Sequence, residues 1–343
     1  MQQKSLMAKP AKDRPPRSKI LANPKDVAAR LMIWDGNWYI NRAHHGYGQY
    51  RRLTNKRGED VTILYGFLQM IGADLLKYRP THAVVVFDGH DSAKYRRDMF
   101  PEYKSSRHTE DTAGSTVDDH DIAVLENIAK VNVVLNFMGI AVMMHEHVEG
   151  DDLLGALVHK FSDDSKIIMC TGDKDAATLV KKGVKIYNSQ MKVLFNEFGI
   201  LERYGVMPSQ MVDYLCLLGD SIDDIPGCPQ VGTKTAQRIL LEYGSVKNAI
   251  KSGKEKKLEA WYKDTERGYK MSRRLIELRT DLQINASLDD MQIRAPEPDA
   301  VELMLDMGIR KPHDWFIEHL SANRIKPLFV PKKTKWPSSK AKD

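Results

Sequence analysis

The chain has 343 residues, 42% of them hydrophobic and 29% charged, which suits two domains or one large domain with a smaller appendage. No apolar run approaches the ~18 residues of a membrane helix, and the opening MQQKSLMAKPAKDRPPRSKI has charge and proline but no apolar segment, so no secretory leader is expected. The formal charge of +6 is uneven: residues 1–30 and 322–343 each carry +6, which leaves −6 on 31–321. A basic flank is either a solvated, disordered tail or an attraction for a polyanion such as nucleic acid. The three cysteines have no metal-type spacing; Cys170 lies in an apolar run and Cys216 on a predicted helix, as expected of buried thiols in a reducing, cytoplasmic setting.

In chain order, LMIWD (31–35) reads as an apolar strand ending on a carboxylate, and VTILYGFLQMIGADLLKY (61–78) as an amphipathic helix. THAVVVFDG (81–89) is a second strand and ends at Asp88. Residues 90–121 are rich in charged and small residues, have no clear period, and read as a long mobile connection. IAVLENIAKVNVVLNFMG (122–139) predicts a helix, IAVMMH (140–145) a strand, KIIMCTGDKD (166–175) a strand running into Asp173, and VKIYN (184–188) another. Continuous apolar strands alternating with helices predict an α/β fold, a parallel-dominated central sheet with helices on both faces. From about 196 the pattern turns helical. The expected division is a basic tail 1–30, an α/β core 31–200, a helical domain 201–321 and a basic tail 322–343.

Parallel sheets place their sites beyond the carboxyl ends of the strands. Asp35, Asp88 and Asp173 fall at such ends. VEGDDLLG (148–155) adds Glu149, Asp151 and Asp152 at the mouth of a helix, Asp175 follows Asp173 by two, and GDSIDD supplies Asp220 and Asp223, expected on one side of a helix. Any one of these could be a helix cap or a turn residue. Together they crowd like charges that need divalent cations between them, with no comparable set of lysines interleaved. Oxygen donors without histidine or cysteine suit magnesium or manganese, and paired ions of this kind serve in-line attack of water on a phosphodiester.

Two further stretches suit nucleic acid. GCPQVGTKTA (227–236) opens a helix; Gly227 and Gly232 permit close backbone approach, and Lys234 follows, although the P-loop continuation is missing. AKYRRDMFPEYKSSR (93–107) interleaves Lys94, Arg96, Arg97, Lys104 and Arg107 with Tyr95, Phe100 and Tyr103, the mixture that stacks bases and holds phosphates, or else an exposed amphipathic helix.

Taken in order, DGNWYINRAHH, YRPTHAVVVFDG, YRRDMFPEYKSSR, VEGDDLLG, TGDKDAATLV and YGVMPSQMVDYLCLLGDSIDDIPGCPQVGTKTAQ resemble the 5′-nuclease (flap endonuclease) family, above all the 5′-3′ exonuclease domain of bacterial DNA polymerase I and its stand-alone bacteriophage relatives. The resemblance covers roughly 31–285 and implies a PIN-like core plus a helical DNA-binding domain with a helix–three-turn–helix motif. It implies one metal group from Asp35, Asp88, Glu149, Asp151 and Asp152, and a second from Asp173, Asp175, Asp220 and Asp223. Two or more Mg2+ ions are implied, with Mn2+ as a substitute and K+ at the helix–three-turn–helix. By the same resemblance Lys104 and Arg96 contact the scissile phosphodiester and Tyr103 stacks on a base. Residues 90–121, with Arg107, form an arch over the 5′ single strand, and Gly227, Val231, Gly232, Lys234 and Thr235 grip duplex DNA. The implied partners are DNA with 5′ flaps or ends and RNA–DNA primer junctions, met by a monomer in a bacterial cell, phage-encoded or not, and no membrane. Asp224 stands where the family usually has Asn, and Gln230 where many members have Gly.

Two other readings compete. A catalytically inactive DNA-binding scaffold would gain nothing from so many acids beside phosphates. A haloacid-dehalogenase-type phosphatase with Asp35 as nucleophile needs an acid two residues on, where Asn37 stands.

Overall fold

The structure is a computed structural model that describes residues 29–48, 52–105, 119–294 and 304; both basic flanks and Arg107 lie outside these residues. Strands β1 Ala29–Asp35, β2 His82–Phe87, β3 Ala141–Met144, β4 Ser165–Cys170, β5 Val184–Asn188 and β6 Val193–Phe195 form one sheet. Their order is β3-β2-β1-β4-β5-β6. All neighbouring pairs are parallel except β5 with β6. β1 is central, pairing Ile33 with Val84 on one side and with Met169 on the other.

Each central strand buries both of its faces. Leu31, Ile33, Val84, Val86, Ile167 and Met169 point into one apolar cluster. Met32, Trp34, Ala83, Val85, Phe87 and Cys170 point into the other. Alternation with a period of two therefore sends apolar side chains both ways, which is why these strands read as unbroken hydrophobic runs. Helices α1 Gly36–Ala43, α2 Thr62–Tyr78 and α4 Asp119–Phe137 cover the second face, and α5 Gly150–Phe161 the first. The connection 90–121 is not wholly irregular: it holds the short helix α3 Lys94–Met99, and α4 starts inside it at Asp119.

Beyond the sheet follow α6 Glu197–Tyr204, α7 Met211–Leu218, α8 Thr233–Tyr243, α9 Val246–Lys251, α10 Lys256–Lys263 and α11 Tyr269–Ile276. Leu215, Ile239, Leu258 and Leu275 of these helices belong to the same buried cluster as Leu31 and Ile33. One apolar core thus runs from the sheet into the helical part, each fully buried Leu or Ile contributing about 1.5–3 kcal/mol. Among the described residues no helix is long and apolar enough to cross a membrane.

Candidate active site

The chain direction reverses its crossovers at β1, since β2 lies on one side and β4 on the other, and the carboxyl ends there open on a crevice. Asp35 leaves β1 and caps α1, its Oδ1 accepting from the Trp38 amide at 2.9 Å. Its Oδ2 accepts from Thr171 Oγ1 at 2.8 Å, which ties the end of β1 to the end of β4. Asp88 leaves β2; its amide donates to Asn37 Oδ1 at 2.9 Å and its Oδ1 accepts from the Gly150 amide at 2.6 Å. A carboxylate from β2 therefore satisfies an orphan N–H at the start of α5. Gly89, next in the chain, is pressed against the main chain of the loop after β3: a Cβ there would collide with the His145 carbonyl. Asp173 follows β4 and accepts from the Asp175 amide at 2.8 Å.

Asp35, Asp88, Glu149, Asp151, Asp173, Asp175 and Asp223 line one cavity of about 480 Å³, seven of the nine acids expected there. The other two are held outside it. Asp152 is 1% exposed, with Oδ1 and Oδ2 on Arg96 and Oδ1 also on the Arg279 amide at 3.0 Å. Asp220 pairs with Lys174 at 2.8 Å. The expected helical side for Asp220 and Asp223 is also absent, because α7 ends at Leu218. Residues 220–225 form a turn closed by paired backbone hydrogen bonds between Asp220 and Ile225 of 2.8 and 2.9 Å.

The cavity has two electrostatic walls. Burial pushes Asp35 up to about 7, the Trp38 and Thr171 hydrogen bonds oppose that, and Asp88 and Asp173 add to it. Burial likewise raises Asp151 and Asp175 well above the carboxylate range, reinforced first by Asp173 in each case. On the opposite wall burial would raise Glu149 too, but Lys104 and Arg96 outweigh it and hold Glu149 below its usual value. Glu149 meets the Arg96 guanidinium and the Lys104 ammonium, while Tyr103 Oη donates to it at 3.3 Å. Lys104 Nζ lies 3.9 Å from Asp223.

Two expected contacts are altered. Arg96 is 3% exposed and all five of its N–H donors are bound to protein: Leu275 O, Glu149, both oxygens of Asp152, and Glu277 O. Tyr103 is 3% exposed, with Arg96 and Lys104 both within 6 Å of its ring centre, so its ring is not open to a base here. Lys104, the remaining cation of the trio, lines the cavity.

Among the hairpin residues, Gly227 is needed for packing: a Cβ there would overlap the Leu218 carbonyl. Gly232 faces open space at the start of α8, Lys234 is exposed, and Val231 and Thr235 are half-buried. Gln230 has φ 62° and Asp224 φ 55°, left-handed backbone where Gly and Asn are the ordinary residues. Sequence reasoning overlooked Thr171 and Lys174, although both lie inside TGDKD. A hydroxyl two residues before an aspartate and a lysine between two were the available signals.

The donor set suits a hard divalent cation. It is oxygen only, and the Asp151 carboxylate makes no hydrogen bond or ion pair with any described residue, while burial and then four other acids raise it. As they stand, no three of these carboxylates among the described residues converge tightly enough to grip one ion.

Fold and cavity together define a nuclease of the kind that works with acidic residues at the carboxyl edge of a parallel sheet. Residues 30–205 match the family described as 5′-3′ exonuclease, N-terminal resolvase-like domain, and residues 206–299 the 5′-3′ exonuclease, C-terminal SAM fold. The chain belongs to the 5′-3′ exonuclease family. It is 32% identical over 271 residues to a 5′-3′ exonuclease of Aquifex aeolicus, covering 78% of this chain and 88% of that one. It is 30% identical to a DNA polymerase I of Caldicellulosiruptor bescii over 278 residues, 77% of this chain but 31% of that much longer one. A bacteriophage T5 flap endonuclease, solved in a pseudo-enzyme–product complex with DNA and metal ions, shares the fold with TM-score 0.54 at 18% identity, over 86% of this chain and 99% of that one.

Proposed function

We propose that this nuclease is a magnesium-dependent, structure-specific enzyme that cuts 5′ flaps and degrades 5′ ends of DNA, RNA primers included, leaving a 5′-phosphate and a 3′-hydroxyl. The observation that carries this reading is the gathering of Asp35, Asp88, Asp151, Asp173 and Asp175 in one cavity, where burial and then acidic neighbours drive Asp35 and Asp151 upward. Divalent ions held there, Mg2+ or Mn2+, would polarise the phosphodiester and supply an ionised water at neutral pH. Asp35, Asp88, Glu149 and Asp151 form one candidate donor group, and Asp173, Asp175 and Asp223 the second. Lys104 offers its ammonium to charge that develops on the phosphate as the P–O bond breaks. Gly232 and the exposed Lys234 at the start of α8 hold the duplex backbone, with K+ as a candidate ligand of that hairpin. Support for a DNA substrate and for metal comes from the phage relative's complex. The reading places a monomer in a bacterial cytoplasm, where its relatives' hosts replicate DNA.

The test is a labelled 5′-flap oligonucleotide with a Mg2+ titration. Cutting near the single/double-strand junction that EDTA abolishes is expected. A chain that binds the flap and leaves it whole at every metal concentration is a scaffold, and the reading is then wrong.

A further inference from the structure

We propose that Arg96 and Asp152 are positioning residues that set Glu149 and Lys104 for the reaction by anchoring them to the end of α11. The inference rests on the nuclease reading above. Arg96 sends Nε to Leu275 O at 2.8 Å, Nη1 to Glu149 and to Asp152 at 2.8 Å, and Nη2 to Asp152 at 2.8 Å and Glu277 O at 3.5 Å. No N–H is left for a substrate oxygen. Leu275 and Glu277 end α11, where the last carbonyls have no partner within the helix, so the guanidinium closes that helix as well as pairing the acids.

Asp152 completes the anchor by accepting from the Arg279 amide at 3.0 Å. The planar fork of an arginine fixes the directions of the carboxylates it meets, which a lysine ammonium does not. Glu149, so fixed, receives the Lys104 ammonium. Lys104 sits at φ 58° and its amide donates to Asp223 O at 3.1 Å, so its main chain is tied to the 220–225 turn while its ammonium meets Glu149. A bonded chain therefore runs from residues 275–279 through Arg96 and Asp152 to Glu149 and ends at Lys104. The end of the helical part thereby decides where the catalytic cation points.

The test uses Arg96→Lys, Arg96→Gln and Asp152→Asn in the full chain, with melting temperature, kcat and KM on a 5′-flap duplex in Mg2+, the salt slope of flap binding in EDTA, and calorimetric binding of Mn2+. For both Arg96 variants kcat should fall ~100-fold with KM within ~3-fold, since a displaced group costs rate rather than substrate binding. Asp152→Asn, which never faces the cavity, should lose ~10-fold in kcat, and Mn2+ affinity should weaken ~10-fold in all three. The salt slope should be unchanged, and Arg96→Gln combined with Asp152→Asn should be no slower than Arg96→Gln alone. A salt slope reduced by about one would mean that Arg96 binds a phosphate, and the inference is overturned. Folded Asp152→Asn with wild-type kcat overturns it equally, and decides the matter should the Arg96 variants not fold. A wild-type chain inert toward the flap would instead remove the nuclease reading itself.

Discussion

The two walls of the acidic cavity treat the same chemical group in opposite ways. Glu149 carries its own counter-charge, Lys104 and Arg96, and is held ionised. Asp35, Asp151 and Asp175 confront other acids, and their carboxyls are driven upward. One wall is paired within the fold, while the other is left in electrostatic debt, which the proposed divalent ions would settle. The contrast separates what the protein orients from what it recruits, although both walls are built from aspartate and glutamate.

The largest expected effect breaks the unfinished wall: Asp173→Ala should bind a flap yet lose at least ~1,000-fold in cleavage rate, about 4 kcal/mol of barrier. Cleavage at the wild-type rate would remove Asp173 from the site. On the finished wall, Arg96→Ala strands Asp152 as a buried charge and leaves Glu149 with Lys104 alone, and denaturant unfolding should show a loss of about 3–5 kcal/mol. Lys104→Ala should lower kcat ~100- to 1,000-fold with calorimetric metal binding retained, and undiminished turnover would contradict its role.

A milder effect is a pH dependence of opposite sign on the two walls. In EDTA, Asp35 keeps its proton up to about 7 when folded, against 3.8 as its ordinary value, so its contribution to stability is full at low pH and lost as pH rises through about 7. Glu149 is lowered, so its contribution is present above the ordinary range and lost as pH falls below it. Melting in EDTA should therefore drop between about pH 4 and 7, and Mg2+ should restore it at pH 8 more than at pH 5 because ligation requires the deprotonated acids. A Mg2+ effect equal at both pH values would count against the unfinished wall. The smallest change is Asp224→Asn: the left-handed backbone suits either residue, so stability should move by no more than about 0.5 kcal/mol.

Much of this arrangement could be read before any coordinates. The strands were legible because burial on both faces leaves unbroken runs such as THAVVVF, and strand ends at Asp35 and Asp88 implied a shared edge. The helical half was visible from period alone; the left-handed backbone at positions 230 and 224 is where Gly and Asn would be ordinary, and nothing in the structure explains Gln and Asp there. What escaped was pairing across long separations. Arg96 looks like a phosphate ligand in YRRDM, since nothing local reveals that its donors end on residues 149, 152, 275 and 277. Asp152 and Asp220 looked like ligands for the same reason, because a periodic pattern says which residues gather but not which are already taken.

Gly89 carries a consequence for how such a pocket can change over generations. With the main chain of the β2 exit resting on the main chain beyond β3, the gap between Asp88 and Glu149 is gauged by peptide against peptide. Substitutions elsewhere can retune charge, access and grip, yet a single methyl group at this crossing would pry the jaws apart. The aperture is thus set by main-chain contact, not by the reach of a side chain.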